Sequence, residues 1–139
     1  MYRSIVVLAE GPHAAEVVQH AAGLATAFGA SLHLVATYKA RALRVPQMVA
    51  APPEGTDPGS ATESELDAMA APIRHSGRNV TVHAVPATSQ HALLDVSRQA
   101  EADLIVATGD IARGHALRSG GIGALLDGAG SSLLLLHTS

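Results

Sequence analysis

Apolar positions in this chain fall into short continuous runs separated by stretches of helical repeat, and that alternation sets the expected order of elements. Residues 2–9 hold a nearly unbroken apolar, β-branched run (Ile5, Val6, Val7, Leu8). Such a run marks a strand covered on both faces of a parallel sheet, so it is expected at the sheet centre. Gly11 and Pro12 signal a helix start, with proline near the first helical position. Val17, Ala21, Leu24, Ala25 and Phe28 then recur at helical spacing until Gly29 ends the run. Residues 31–38, with Leu32, Leu34 and Val35, predict a second strand and complete a βαβ unit with a right-handed crossover.

Residues 39–59 break the pattern with Pro46, Pro52, Pro53 and Pro58 and predict a flexible loop. Ser60 and Glu63 have the form of a capping box, opening a helix through Leu66, Met69 and Ile73 that Pro72 disturbs and Gly77 ends. Val80–Val85 predicts strand three and Ser89–Ala100 a helix turning Leu93, Val96 and Ala100 to the sheet. Residues 103–108 predict strand four, Ile122, Leu125 and Leu126 mark a fourth helix, and residues 132–137 predict strand five. With no internal repeat, residues 1–139 are expected to form one domain. Five mostly parallel strands alternating with four helices predict an α/β architecture, a single doubly wound open sheet. Ligands of such sheets sit beyond the carboxyl ends of the strands, where strand order reverses. That places Ala9, Glu10 and Gly11, Thr37 and its following loop, and Thr108 and its following loop around one cleft.

Composition narrows the chemistry. The chain has no cysteine, which excludes disulfides, thiolate catalysis and cysteine-ligated metals. A net charge of −3 and an aromatic content of 2% offer nucleic acid neither a basic stripe nor a stacking platform, so no nucleic-acid partner is expected. No segment reaches the roughly 18 to 20 apolar residues of a membrane span, and Met1, Tyr2, Arg3 and Ser4 do not open a secretory leader. A cytoplasmic protein with no membrane association is expected. A G-x-S-x-G elbow, a Walker A loop and a G-x-G-x-x-G after strand one are all absent, and no catalytic residue is assigned.

The candidate site residues lie at strand ends. Asp103, Leu104, Ile105, Val106, Ala107 and Thr108 lead into Gly109, followed by Arg113, Gly114, His115, Arg118 and the cluster Gly120, Gly121 and Gly123. Glycines let backbone N–H groups approach an anion, and a following helix N-terminus adds donors and a favourable dipole. In one reading these residues cradle phosphates, with Arg113 and Arg118 supplying charge. In the other the glycines only shape turns and the arginines are solvated. Glu10 can accept hydrogen bonds from a ribose hydroxyl or an adenine amino group; alternatively it is a solvated carboxylate favoured by the dipole of the first helix. The eight histidines show no metal-ligand motif. His13 and His20 are two turns apart, His33 and His83 fall in separate strands, and His115 and His137 in the tail, so a scattered surface set with no metal site is expected.

The opening strand ending in Ala9, Glu10 and Gly11, with the late Asp103–Thr108 strand and its glycine loop, resembles the universal stress protein family over nearly the whole chain. In that family strand one ends in an acidic residue followed by Gly-Ser, and the late strand opens a G-x2-G-x9-G-[ST] loop that holds ATP phosphates. Here Glu10 replaces the usual aspartate and Pro12 the serine. Counting from Gly109, Ala112 and Ile122 stand where the next glycines belong. The chain is thus similar to the branch around universal stress protein A, whose loop is degenerate. The resemblance implies a stress-response regulatory protein, not an enzyme, acting as a homodimer through the C-terminal strand, with unidentified protein partners and weak or absent ATP binding. The alternatives it leaves are an adenine-nucleotide switch that binds ATP or AMP, and a slow Mg²⁺-dependent nucleotide hydrolase in which Asp110 is the available carboxylate.

Overall fold

Backbone pairing joins the apolar runs into one sheet. The computed structural model describes residues 2–38, 58–86, 89–108 and 132–136. Within them the order is β1 (Ser4–Leu8), α1 (Ala14–Phe28), β2 (Ser31–Thr37), α2 (Pro58–His75), β3 (Val80–Val85), α3 (Ser89–Ala100), β4 (Leu104–Thr108) and β5 (Ser132–Leu136). Strand order is β3-β2-β1-β4-β5, and every pairing is parallel, with Val7 opposite Leu34, Val6 opposite Ile105, Leu34 opposite Val82 and Val106 opposite Leu134. β1 is central and buried along its whole length, as its uninterrupted apolar run requires.

Alternation along the strands divides the core into two layers. Ile5, Val7, Leu32, Leu34, Val80 and Val106 face α1 and α2 and pack with Val17, Ala21, Leu66 and Ala70. Val6, Leu8, Val35, Ile105 and Ala107 face α3 and pack with Ala92, Leu93 and Val96. The sheet is therefore covered on both faces, as a doubly wound fold demands, and each large buried side chain contributes about 1.5–3 kcal/mol. Helix α1 buries Ala14, Val17, Val18, Ala21 and Ala25, one stripe at helical spacing. It ends on Gly29 in the left-handed conformation (φ 67°), and the Ala30 N–H donates to the Ala25 carbonyl at 2.9 Å, closing a Schellman motif. At the lower end of the sheet, Asp103 Oδ2 accepts from the backbone N–H groups of Arg3 (2.6 Å) and Ser4 (3.2 Å), fastening the start of β4 to β1.

Two helix starts differ from the sequence reading. Pro12 lies in the turn before α1, whose first residue is Ala14. Helix α2 starts at Pro58, so Ser60 and Glu63 are inside it and Ser60 is not its N-cap. Proline suits a first helical position because the N–H it lacks has no intrahelical partner there. The rest of the expected 39–59 loop and the fourth helix marked by Ile122, Leu125 and Leu126 lie outside the described residues. Among the described residues, no helix is long and apolar enough to cross a membrane.

Candidate functional site

Beyond Leu8 the chain leaves β1 through Ala9, Glu10 and Gly11. The Ala9 N–H still donates to the Val35 carbonyl (2.7 Å), so the ladder holds this exit beside β2. Gly11 then turns the chain with φ +84°, a conformation side chains disfavour, and its carbonyl accepts from the Ala14 N–H at the start of α1 (3.2 Å). β2 ends alongside at Thr37, whose backbone N–H and Oγ1 both donate to Glu10 Oε1. Neither sequence reading of Glu10 anticipated this contact. The carboxylate is half-buried and ties the ends of two strands together.

The third wall is α2, which packs across β2 and β3. Its Thr62, Glu65 and Met69, spaced i, i+3 and i+7, fall on one helix face and look onto the strand ends. Together these elements enclose a cleft of about 380 Å³. Glu10 and Glu65 supply carboxylates, Thr37 and Thr62 hydroxyls, and Ala9, Ala14, Ala36 and Met69 an apolar lining. Such a set accepts hydrogen bonds from hydroxyl and amino groups and shelters an apolar ring. Among the described residues that line it, none is cationic.

Ala9, Glu10, Gly11 and Thr37 are thus brought together as the sequence predicts. Thr108 is placed at the carboxyl end of β4, next to β1 in the sheet. Gly109, Arg113, Gly114, Arg118, Gly120, Gly121 and Gly123 lie outside the described residues, as does Asp110. Strand order reverses between β1 and β4, and the cleft lined by described residues opens beside that point, at the β1 and β2 ends beneath α2. Thr62, Glu65 and Met69 were missed by the sequence reading. Their shared helical face is readable from the spacing, but of the three the sequence marks only Met69, as part of the apolar repeat of the helix.

The histidines also require a correction. His33 and His83 are brought together: His33 Nδ1 lies 3.1 Å from His83 Nε2, and the rings stack with centroids 5.3 Å apart at 29°. Burial lowers the pKa of both, and the neighbouring His83 charge lowers that of His33 further.

Known structures share this fold. The chain is similar to a universal stress protein solved in complex with cAMP (TM-score 0.69, 19% identity, covering 99% of this chain and 98% of that one). It is also similar to the universal stress protein from Archaeoglobus fulgidus in complex with dAMP (TM-score 0.62, 18% identity, 96% and 97% covered). A third similar structure is universal stress protein UspA from Lactobacillus plantarum (TM-score 0.60, 19% identity, 97% of each chain covered). At these identities the likeness establishes the fold. A comparison with curated proteins gives no match. Residues 1–127 match the sequence profile of the Universal stress protein family, spanning the cleft and all of the sheet but β5, and the chain belongs to that family.

Proposed function

We propose that this chain is a ligand-responsive regulatory protein of the stress-response type whose cleft takes an adenine nucleoside monophosphate, linear or cyclic, in preference to ATP. The observation that carries the reading is Glu10, held at the mouth of β1 by the Thr37 N–H and hydroxyl. A carboxylate fixed in this way is a positioned acceptor for ribose hydroxyls, with Thr62 and Glu65 across the cleft and Met69 as an apolar bed for a base. The departures of the glycine loop from the ATP-binding pattern support the preference over ATP, and two structurally similar proteins were solved with cAMP and dAMP.

The reading assigns the protein binding and conformational response without turnover. A homodimer through β5 is part of it, supported by the edge position of β5 in the sheet and its run of leucines, since natural proteins pair or cover such edges. Calorimetric titration of nucleotide-stripped protein with AMP, cAMP and ATP with Mg²⁺ tests the proposal. The monophosphates should bind about tenfold or more tighter than ATP, a difference of about 1.4 kcal/mol. Absence of heat with every nucleotide at millimolar concentration would overturn it, and phosphate release from ATP would overturn the assignment of binding without turnover.

A further inference from the structure

Outside the cleft, the β2–β3 ladder builds a cluster the family reading does not use. The register sets Thr81 opposite His33 and His83 opposite Val35, so both imidazoles project on the α3 side of the sheet as diagonal neighbours. Their facing nitrogens, His33 Nδ1 and His83 Nε2, are 3.1 Å apart. Two imidazole nitrogens each about 2.0–2.1 Å from one ion are separated by roughly 2.9–3.4 Å for bond angles between square and tetrahedral. The observed spacing falls inside that window. We propose that His33 and His83 form a two-imidazole site for a late first-row divalent cation, Zn²⁺ or Cu²⁺, on the edge of the sheet.

Proton accounting is simple. In the hydrogen-bonded pair one ring donates to the other. For both nitrogens to face a cation, that donor ring moves its proton to its remote nitrogen, leaving Nε2–H on His33 and Nδ1–H on His83. Both rings stay neutral and no net proton is lost. Burial favours the neutral form of each ring, which is the form that ligates. The backbone under the two rings is already fixed by the parallel ladder, so chelation orders only side chains. Access comes from the edge: β3 is the outer strand, Thr81 beside the pair is exposed, and α3 packs over β1 and β2. Among the described residues no third histidine or carboxylate joins the pair, so water completes the shell and the ion remains exchangeable.

The test uses the full chain without an affinity tag, titrated with Zn²⁺ and followed through the imidazole ¹⁵N resonances. The proposal expects His33 and His83 to shift together and saturate at one equivalent, ahead of the other histidines. It also expects His33→Gln and His83→Gln each to weaken Zn²⁺ binding at least tenfold, with His20→Gln leaving it unchanged. Shifts confined to other histidines, or unchanged affinity in both variants, would overturn it. If either variant fails to fold, the wild-type resonances alone decide between these outcomes.

Discussion

Replacing Glu10 with alanine is the most informative perturbation of the cleft because Glu10 has a structural contact that the replacement removes completely. The Thr37 N–H and hydroxyl both lose their acceptor, and the ends of β1 and β2 lose their side-chain tie. A hydrogen bond to a charged group contributes about 1.5–3 kcal/mol when buried. Both residues here are half-buried and water can replace part of the loss, so the two bonds together are expected to contribute about 1.5–3 kcal/mol. Unfolding entropy scales to roughly 0.3 kcal/mol/K for a chain of this length, which converts that loss into a fall in Tm of about 5–10 °C. Thr37→Val removes only the hydroxyl and should lose about 0.5–1.5 kcal/mol. The double variant should fall short of the sum by a similar amount, because one bond cannot be lost twice. Urea unfolding of the four proteins measures the cycle. A loss below about 0.5 kcal/mol for Glu10→Ala, or additive single losses, would refute the claim that Glu10 and Thr37 are coupled.

Three further outcomes follow from other parts of the fold. His33 and His83 have lowered pKa values, so the folded state binds fewer protons than the unfolded chain below pH 6.5; with a chelator present, stability should fall as pH drops below that value, and substituting both histidines with glutamine should flatten the decline in chemical unfolding. Asp103→Ala removes the acceptor for the Arg3 and Ser4 N–H groups and should cost about 1–3 kcal/mol by denaturant titration, with Asp103→Asn recovering part of it. Glu101, after α3, adopts φ 52° while the Ala102 N–H donates to the Ser97 carbonyl (2.9 Å), the geometry Gly29 provides after α1; Glu101→Gly should raise Tm by a few degrees and Gly29→Ala lower it, because left-handed backbone costs a side-chain-bearing residue about 1–2 kcal/mol.

Much of the sheet was legible because period and burial report on each other. The unbroken run from Ile5 to Leu8 could only be a strand covered on both faces, and it occupies the centre. Gly29 stopped α1 where the left-handed cap was needed. Helix starts were less legible. Ser60 and Glu63 carry capping chemistry, but a capping box operates only where helical backbone begins, and Pro58 allowed α2 to begin sooner. Ala9, Glu10, Gly11 and Thr37 were legible as neighbours, because the carboxyl ends of parallel strands meet at one end of the sheet. The Glu10 to Thr37 contact and the His33 to His83 pair were not, because each joins residues far apart in sequence through a strand register that alternation alone does not set. The α2 wall of the cleft was missed for a related reason: helical spacing puts Thr62, Glu65 and Met69 on one face without saying what that face meets.

The central claim is that a nucleoside monophosphate binds against the fixed Glu10 and the α2 wall, and amide chemical-shift mapping during titration with AMP and cAMP tests it most directly. Saturable shifts centred on Glu10, Gly11, Thr37, Thr62 and Glu65, lost in Glu10→Ala, are the predicted result. Saturating nucleotide that leaves those amides in place, or shifts only residues remote from the β1 and β2 ends, would contradict it.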